Sequence, residues 1–64
     1  MTTIEDIHES LINGQRKQMT AQIDEYGSDF WSDYRDYLND ACFVQQRYEH
    51  FTDAVISYHR IKGD

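Results

Sequence analysis

The stretch DFWSDYRDYLNDACF, residues 29–43, alternates acidic and aromatic side chains, and the fold depends on how it is arranged. At about 100° per residue, its four aspartates fall within an arc of roughly 60° on a helix. These aspartates are Asp29, Asp33, Asp36 and Asp40. Trp31, Tyr34 and Leu38 centre about 180° away, so the spacing predicts a helix with a wide apolar face and an acidic stripe. Phe43 falls near the stripe, and we predict a second contact surface at that residue.

A first helix is predicted to precede this stretch, from about residue 3 to about residue 26. Thr3 followed by Asp6 resembles a capping box with Asp in place of Glu, which marks a helix start. Gly27 is typical of a helix end. The pair Asn13–Gly14 is a turn signal, and the apolar face shifts there. We expect one helix that is bent or weakened at Gly14, with a short helix followed by a second one as the alternative.

The second helix is predicted from about residue 28 to about residue 51, after a very short connection capped by Ser28 or Asp29. The tail AVISYHRI, residues 54–61, is rich in β-branched and aromatic residues and favours a short strand, although a continued helix is also open. A lone strand needs a partner for its backbone groups, and the same strand of a second copy would supply one. The predicted fold is mainly α. It is an antiparallel helical hairpin of two helices with a short C-terminal strand pairing across an intertwined homodimer, and residues 1–64 form one domain.

Size and composition narrow the classes of protein that this chain can belong to. With 64 residues and a single cysteine, Cys42, it has no internal disulfide to stabilise a small core, so oligomerisation is expected. The formal net charge is −6, whereas nucleic-acid binders need cations to neutralise phosphates. No apolar run is long enough to span a membrane, and the N-terminus does not resemble a signal peptide. We therefore expect a soluble, cytoplasmic protein.

No catalytic or metal-binding pattern stands out. His50 and Asp53, with Glu49 and His59 nearby, lack the tight ligand spacing of a zinc site. Cys42 and His50 would lie roughly 12 Å apart on one continuous helix, too far for a nucleophile and its base. Neither a glycine-rich phosphate loop nor a nucleophile elbow is present. The sequence predicts a protein that is not an enzyme and that has neither a metal nor another cofactor.

The number of aromatic residues is high for so short a chain, nine of 64. Two amphipathic helices cannot cover all of these side chains, so part of them should form a dimer or partner interface. Any remainder would line a hydrophobic cleft suited to a partner's amphipathic helix. The residues predicted for these interfaces are Ile23, Tyr26, Phe30, Trp31, Tyr34, Tyr37, Leu38, Tyr48, Phe51, Val55 and Tyr58.

A role connected with nucleic acid is the alternative function. The aspartate stripe could imitate a row of phosphates as a possible acidic contact face, since helix neighbours at this spacing lie roughly 5–6 Å apart. Weak DNA binding would instead use Arg16 and Lys17, the adjacent basic pair. DNA binding is disfavoured because the chain has twelve acidic and only six basic side chains. Mimicry is disfavoured because Arg35 lies beside the stripe and Arg47 extends it.

The amino-acid sequence of the whole chain resembles that of a known group of phage proteins. From MTTIEDIHESLINGQRKQ through DFWSDYRDYLNDACF to AVISYHRIKGD, it is similar to the small early proteins of lambda-like temperate bacteriophages, encoded between the exonuclease and excisionase genes. The resemblance implies an early regulatory protein that promotes lytic development in the cytoplasm of the bacterial host. It also implies a homodimer with two helices and one strand per chain, a host or phage protein as partner, and no catalytic residues.

Overall fold

Four helices make up the regular structure of residues 2–42 and 44–63, which are the residues described by this computed structural model. Helix α1 spans Ile4–Ile12, α2 spans Arg16–Tyr26, α3 spans Phe30–Ala41 and α4 spans Val44–Lys62. Helices α1 and α4 each pack against both α2 and α3. No strand occurs among the described residues, so the prediction of a two-helix hairpin with a C-terminal strand is wrong, and so is the fold implied by the resemblance.

Helix α1 begins as predicted but ends earlier. The Thr3 hydroxyl accepts from the Asp6 backbone N–H, and the Asp6 carboxylate accepts from the Thr3 N–H, both at 3.2 Å, which completes the capping box. At the other end of α1, Gly14 has φ of +77°. The Gly14 N–H donates to the carbonyl of Leu11, and the Gln15 N–H donates to the carbonyl of Ser10. This pair of bonds is a Schellman motif, which ends a helix. The continuous helix over 3–26 is therefore wrong, and the alternative of two successive helices is what the chain forms.

Helix α2 stops at Gly27, as predicted. Gly27 has φ of +113°, where residues with a side chain are strained, and its N–H donates to the carbonyl of Ile23. Asp29 occupies the position before α3, but its side chain makes no capping hydrogen bond. The connection from α2 to α3 is thus short because of the glycine rather than because of a cap.

The chain breaks between α3 and α4, where we predicted one helix over residues 28–51. Helix α3 ends at Ala41, and Cys42 takes an extended backbone with φ of −129° and ψ of 154°. The break lets α4 fold back along α3, so that the ring of Trp31 lies 5.8 Å from that of Phe51. In one continuous helix these two residues would be about 30 Å apart. The gain in aromatic packing explains the break, although residues 41–44 contain neither glycine nor proline.

The tail is helical, so the strand predicted over residues 54–61 is wrong. Ala54 and Ser57 are buried, and Tyr58 is half-buried beside them, which is the spacing of a helix face. The β-branched residues of this segment favour a strand only weakly, and packing against a neighbouring helix overrides that preference. A helix also satisfies its own backbone groups, so the tail needs no strand from a second copy.

The core draws on all four helices. Its buried apolar side chains are Ile7, Leu11, Met19, Ile23, Phe30, Tyr34, Leu38 and Ala54. The radius of gyration is 10.7 Å, close to the value of about 11 Å for a compact domain of this length. One chain therefore builds a closed core by itself. No helix within residues 2–42 and 44–63 has the length and apolar character to cross a membrane.

Candidate functional site

The residues predicted for an interface divide into three groups by their exposure. Ile23, Phe30, Tyr34 and Leu38 are at most 3% exposed and lie inside the core of one chain. These four side chains hold the helices together and offer almost no surface to another molecule. Phe30, Tyr34 and Leu38 belong to the wide apolar face of α3, which α1 and α4 cover within the same chain.

A second group is half-buried and forms an aromatic layer between α3 and the neighbouring helices. Its members are Tyr26, Trp31, Tyr37, Phe51 and Tyr58. Val55 is half-buried as well, but it is not aromatic and is not part of this layer. Trp31 is at the centre, with ring centroids 4.8 Å from Phe30, 5.8 Å from Phe51 and 5.7 Å from Tyr58. These edge-to-face contacts are favourable aromatic geometry, so most of this layer serves packing.

Tyr48 is the exception, because its side chain is 76% exposed. It lies beside a groove of about 320 Å³ between α3 and α4. The groove is lined by Arg35, Leu38, Asn39, Val44, Arg47, Tyr48 and Phe51. Val44, four residues before Tyr48 on the same face of α4, is 68% exposed. Exposed apolar side chains beside a concave surface make this groove a candidate binding site.

Two arginines give the groove a local charge opposite to that of the chain. Arg35 and Arg47 contribute to its lining, on a chain with a net charge of −6. Within residues 2–42 and 44–63, neither arginine makes an ion pair. Arg16, by contrast, pairs with Asp53 on α4 at 3.4 Å. The groove therefore combines an apolar floor with two arginines that form no ion pair with any other described residue.

The four aspartates of the predicted acidic contact face differ in their exposure and hydrogen bonding. Asp29, Asp36 and Asp40 are exposed, but Asp33 is half-buried and accepts a hydrogen bond of 2.7 Å from the Tyr26 hydroxyl. This bond raises the pKa of Tyr26. Arg16, considered for weak DNA binding, is held by its pairing with Asp53. Phosphate mimicry and DNA binding stay predictions, and the predicted contact surface at Phe43 falls outside the described residues.

A second candidate site lies where α1 meets the break between α3 and α4. His8 from α1, Cys42 from the end of α3 and His50 from α4 converge there. One nitrogen of each imidazole and the Cys42 sulfur all lie within 4.8 Å of one another. His8 is 9% exposed, whereas Cys42 and His50 are half-buried. Among the described residues this is the one group of three such side chains close enough to hold a metal ion together.

Hydrogen bonding and burial define the state of His8. Its Nδ1 shares a hydrogen bond of 2.9 Å with the hydroxyl of Tyr34, a fully buried residue. Burial, and secondarily the charge of His50, lower the pKa of His8. Burial also raises the pKa of Tyr34, so its hydroxyl keeps its proton. At neutral pH the cluster therefore presents a neutral imidazole oriented by a protonated phenol.

Sequence reasoning missed this cluster for a specific reason. Cys42 and His50 were placed on one helix, but the break after Ala41 brings their sulfur and nitrogen within 4.8 Å. The distance argument against that pair is wrong. The group considered for metal, His50 with Asp53, Glu49 and His59, is not brought together within the described residues. One signal was present: His8 falls at the helical spacing of Ile4, Ile7 and Leu11, on the apolar face of α1.

Comparison with known proteins found no matching family model, no similar curated protein and no similar solved structure.

Proposed function

We propose that this chain is a non-enzymatic interaction protein that binds an acidic amphipathic helix of a partner protein in the groove between α3 and α4. The observation that carries the proposal is the exposure of Val44 and Tyr48 beside Arg35 and Arg47. Exposed apolar side chains that are contiguous with a groove are typical of interaction sites. The core is complete without Val44 and Tyr48, so folding does not account for their position.

The chemistry of the groove defines its occupant. An apolar floor binds the apolar face of a helix through side chains at positions i, i+3, i+4 and i+7. Arginine and tyrosine are the residue types that most often contribute strongly to binding. Arg35 and Arg47 would pair with carboxylates flanking that apolar face, so the partner helix should carry Asp or Glu beside its apolar residues.

The resemblance to early phage proteins supports a setting for this interaction. The partner would be a host or phage protein in the cytoplasm of the infected bacterium, and binding would promote lytic development. In this proposal the chain performs no chemistry on its partner. It would promote lytic development by occupying a helix of the partner that has another function when it is not bound.

A site-specific photocrosslinker in infected cells tests the proposal. A photoreactive amino acid replaces Tyr48 in one protein and exposed Ile56, on the same helix but outside the groove, in a control protein. We expect a covalent adduct from position 48 and none from position 56. Mass spectrometry should place the crosslink in an acidic, amphipathic segment of the partner.

Charge reversal separates the groove from nonspecific capture. Arg35→Glu with Arg47→Glu should abolish the adduct, while Lys17→Glu with Arg60→Glu, which makes the same change in net charge outside the groove, should retain it. Equal adducts from positions 48 and 56, or an adduct that survives reversal in the groove, would overturn the proposal. An adduct only to a second copy of the chain would also overturn it, and would replace it with self-association.

A further inference from the structure

We propose that His8, Cys42 and His50 form a binding site for a divalent transition metal ion, with Zn²⁺ as the expected occupant. The three side chains come from α1, from the residue after α3 and from α4, so their convergence is a product of the fold. The chain contains three histidines and one cysteine, and the fold gathers all of them except His59. The site is independent of the proposed partner groove.

The distances suit coordination after a small adjustment. With bonds of about 2.3 Å to sulfur and about 2.0 Å to nitrogen, ligand atoms in a tetrahedral zinc site lie roughly 3.3–3.6 Å apart. The three ligand atoms here are within 4.8 Å of one another. Closing this difference requires movements of about an ångström, which side-chain rotation supplies. Cys42 and His50 are half-buried, so their side chains are less confined than those of the buried core.

The hydrogen bond between His8 and Tyr34 leaves the second ring nitrogen of His8 for a metal. A metal-bound histidine almost always donates its other ring N–H to an oxygen atom, which fixes the ring. The Tyr34 hydroxyl lies 2.9 Å from Nδ1 and accepts that bond in the tautomer that carries its proton on Nδ1, so we assign Nε2 to the metal. Tyr34 is fully buried and cannot leave its position easily. It would act as a positioning residue for the ligand.

The choice of ligands indicates the class of metal. One thiolate with two imidazoles is a soft, nitrogen-rich set that suits zinc and disfavours magnesium and calcium, which take oxygen ligands. Three protein ligands leave one of the four tetrahedral positions for water or for a side chain of another protein. Because Cys42 and His50 are partly exposed, solvent can reach that position.

A metal at this point would stabilise the part of the fold that local sequence specifies least. The break at Cys42 has no glycine or proline, and a small chain without a disulfide benefits from a metal that links distant segments. Binding would tie α1 and α4 to the end of α3, and the binding free energy would add to the stability of the folded state.

Cobalt substitution on the full, reduced chain provides the test. We expect Co²⁺ to bind with one ion per chain and to give the visible ligand-field bands of tetrahedral cobalt and a thiolate-to-cobalt charge-transfer band. Zn²⁺ should remove both signals by displacement and should raise the thermal midpoint as its concentration rises. Absence of the charge-transfer band in the reduced wild-type protein would overturn the site.

Four variants test the site: two change ligands, one changes the positioning residue and one is a control. Cys42→Ser should abolish the charge-transfer band, and His50→Gln should weaken Zn²⁺ binding strongly, while His59→Gln, the matched change outside the cluster, should bind like the wild type. Tyr34→Phe keeps the ring but removes the hydroxyl, and it should weaken binding about 10- to 100-fold. Circular dichroism checks that each variant is helical. Unchanged binding in folded Cys42→Ser or His50→Gln, or a loss in His59→Gln, would place the ion elsewhere and overturn the proposal.

Discussion

The turn between α1 and α2 and the break between α3 and α4 both let one helix pack beside the next, but they are specified in different ways. The first is specified by neighbouring residues. Gly14 has φ of +77°, and two hydrogen bonds at this turn end the helix. The second has no glycine, and Cys42 adopts an ordinary extended conformation. Only the packing of α4 against α2 and α3 makes that break favourable. A turn of the first kind is visible in the sequence, whereas one of the second kind emerges from the assembled core.

The largest expected effect comes from removing a core contact near the break. Leu38 is fully buried, and its carbonyl accepts the Cys42 N–H at 3.0 Å. Leu38→Ala should lower the free energy of unfolding by about 2–5 kcal/mol, because a cavity replaces a buried side chain. For a chain this small, that loss can unfold most of the protein. Urea denaturation followed by circular dichroism measures it, and the exposed Val44→Ala provides the control, expected within about 0.5 kcal/mol of wild type. Equal stability of the two variants would show that the break does not rely on the core.

A smaller loss should follow from altering the locally specified turn. Gly14→Ala places a Cβ at φ of +77°, with no atom nearby to clash, so conformational strain alone should cost about 1–2 kcal/mol. Gly14→Asn is the matched variant and should lose less, since asparagine tolerates this region better. Thermal unfolding of both proteins checks the order. If alanine and asparagine proved equally stable, the glycine would not be the reason that α1 ends there.

The start of α1 provides a third prediction, which tests whether the Thr3 cap stabilises the helix. Thr3→Ala removes the hydroxyl that accepts the Asp6 N–H and should cost about 1 kcal/mol. Thr2→Ala changes the neighbouring threonine, which is not the cap, and should leave the unfolding midpoint nearly unchanged. A large loss in the Thr2 variant would argue against the capping box as the source of stability.

Acidification should give the smallest and most gradual effect, at the point where α1 meets the break. The pKa of His8 in the folded protein is lowered from 6.5. Above pH 6.5 the imidazole of His8 is therefore mainly neutral in both the folded and the unfolded chain. Below pH 6.5 the unfolded chain takes up a proton that the folded chain resists, and stability falls until the pH passes the folded pKa. The groups that face His8 are His50 on α4, Tyr34 and Tyr37 on α3, and Cys42 in the candidate metal cluster.

Denaturation of the metal-free protein between about pH 7.5 and about pH 5 measures this dependence. His8→Gln should flatten the profile, whereas His59→Gln should retain it. A profile that is unchanged in the His8 variant would assign the acid sensitivity to another group.

Much of the local structure could be predicted from the sequence. The capping box at Thr3 and the stop at Gly27 are confirmed, because each depends on residues only a few positions apart. The two faces of α3 are confirmed as well: Phe30, Tyr34 and Leu38 are buried, while most of the aspartate stripe is exposed. The candidate metal cluster could not be predicted, because Cys42 was placed inside a continuous helix that does not exist.

The sequence by itself determined where helices can begin, where glycine ends them and which side of α3 is apolar, since caps, backbone dihedrals and helical periodicity act over a few residues. Tertiary structure alone decided that the chain breaks at Cys42 and that the β-branched tail is helical. It also decided that most predicted interface aromatics are covered within one chain while Tyr48 is exposed. The physical reason is that burial of Phe51 and Ala54 against distant helices outweighs the weak local preferences of the segments that carry them.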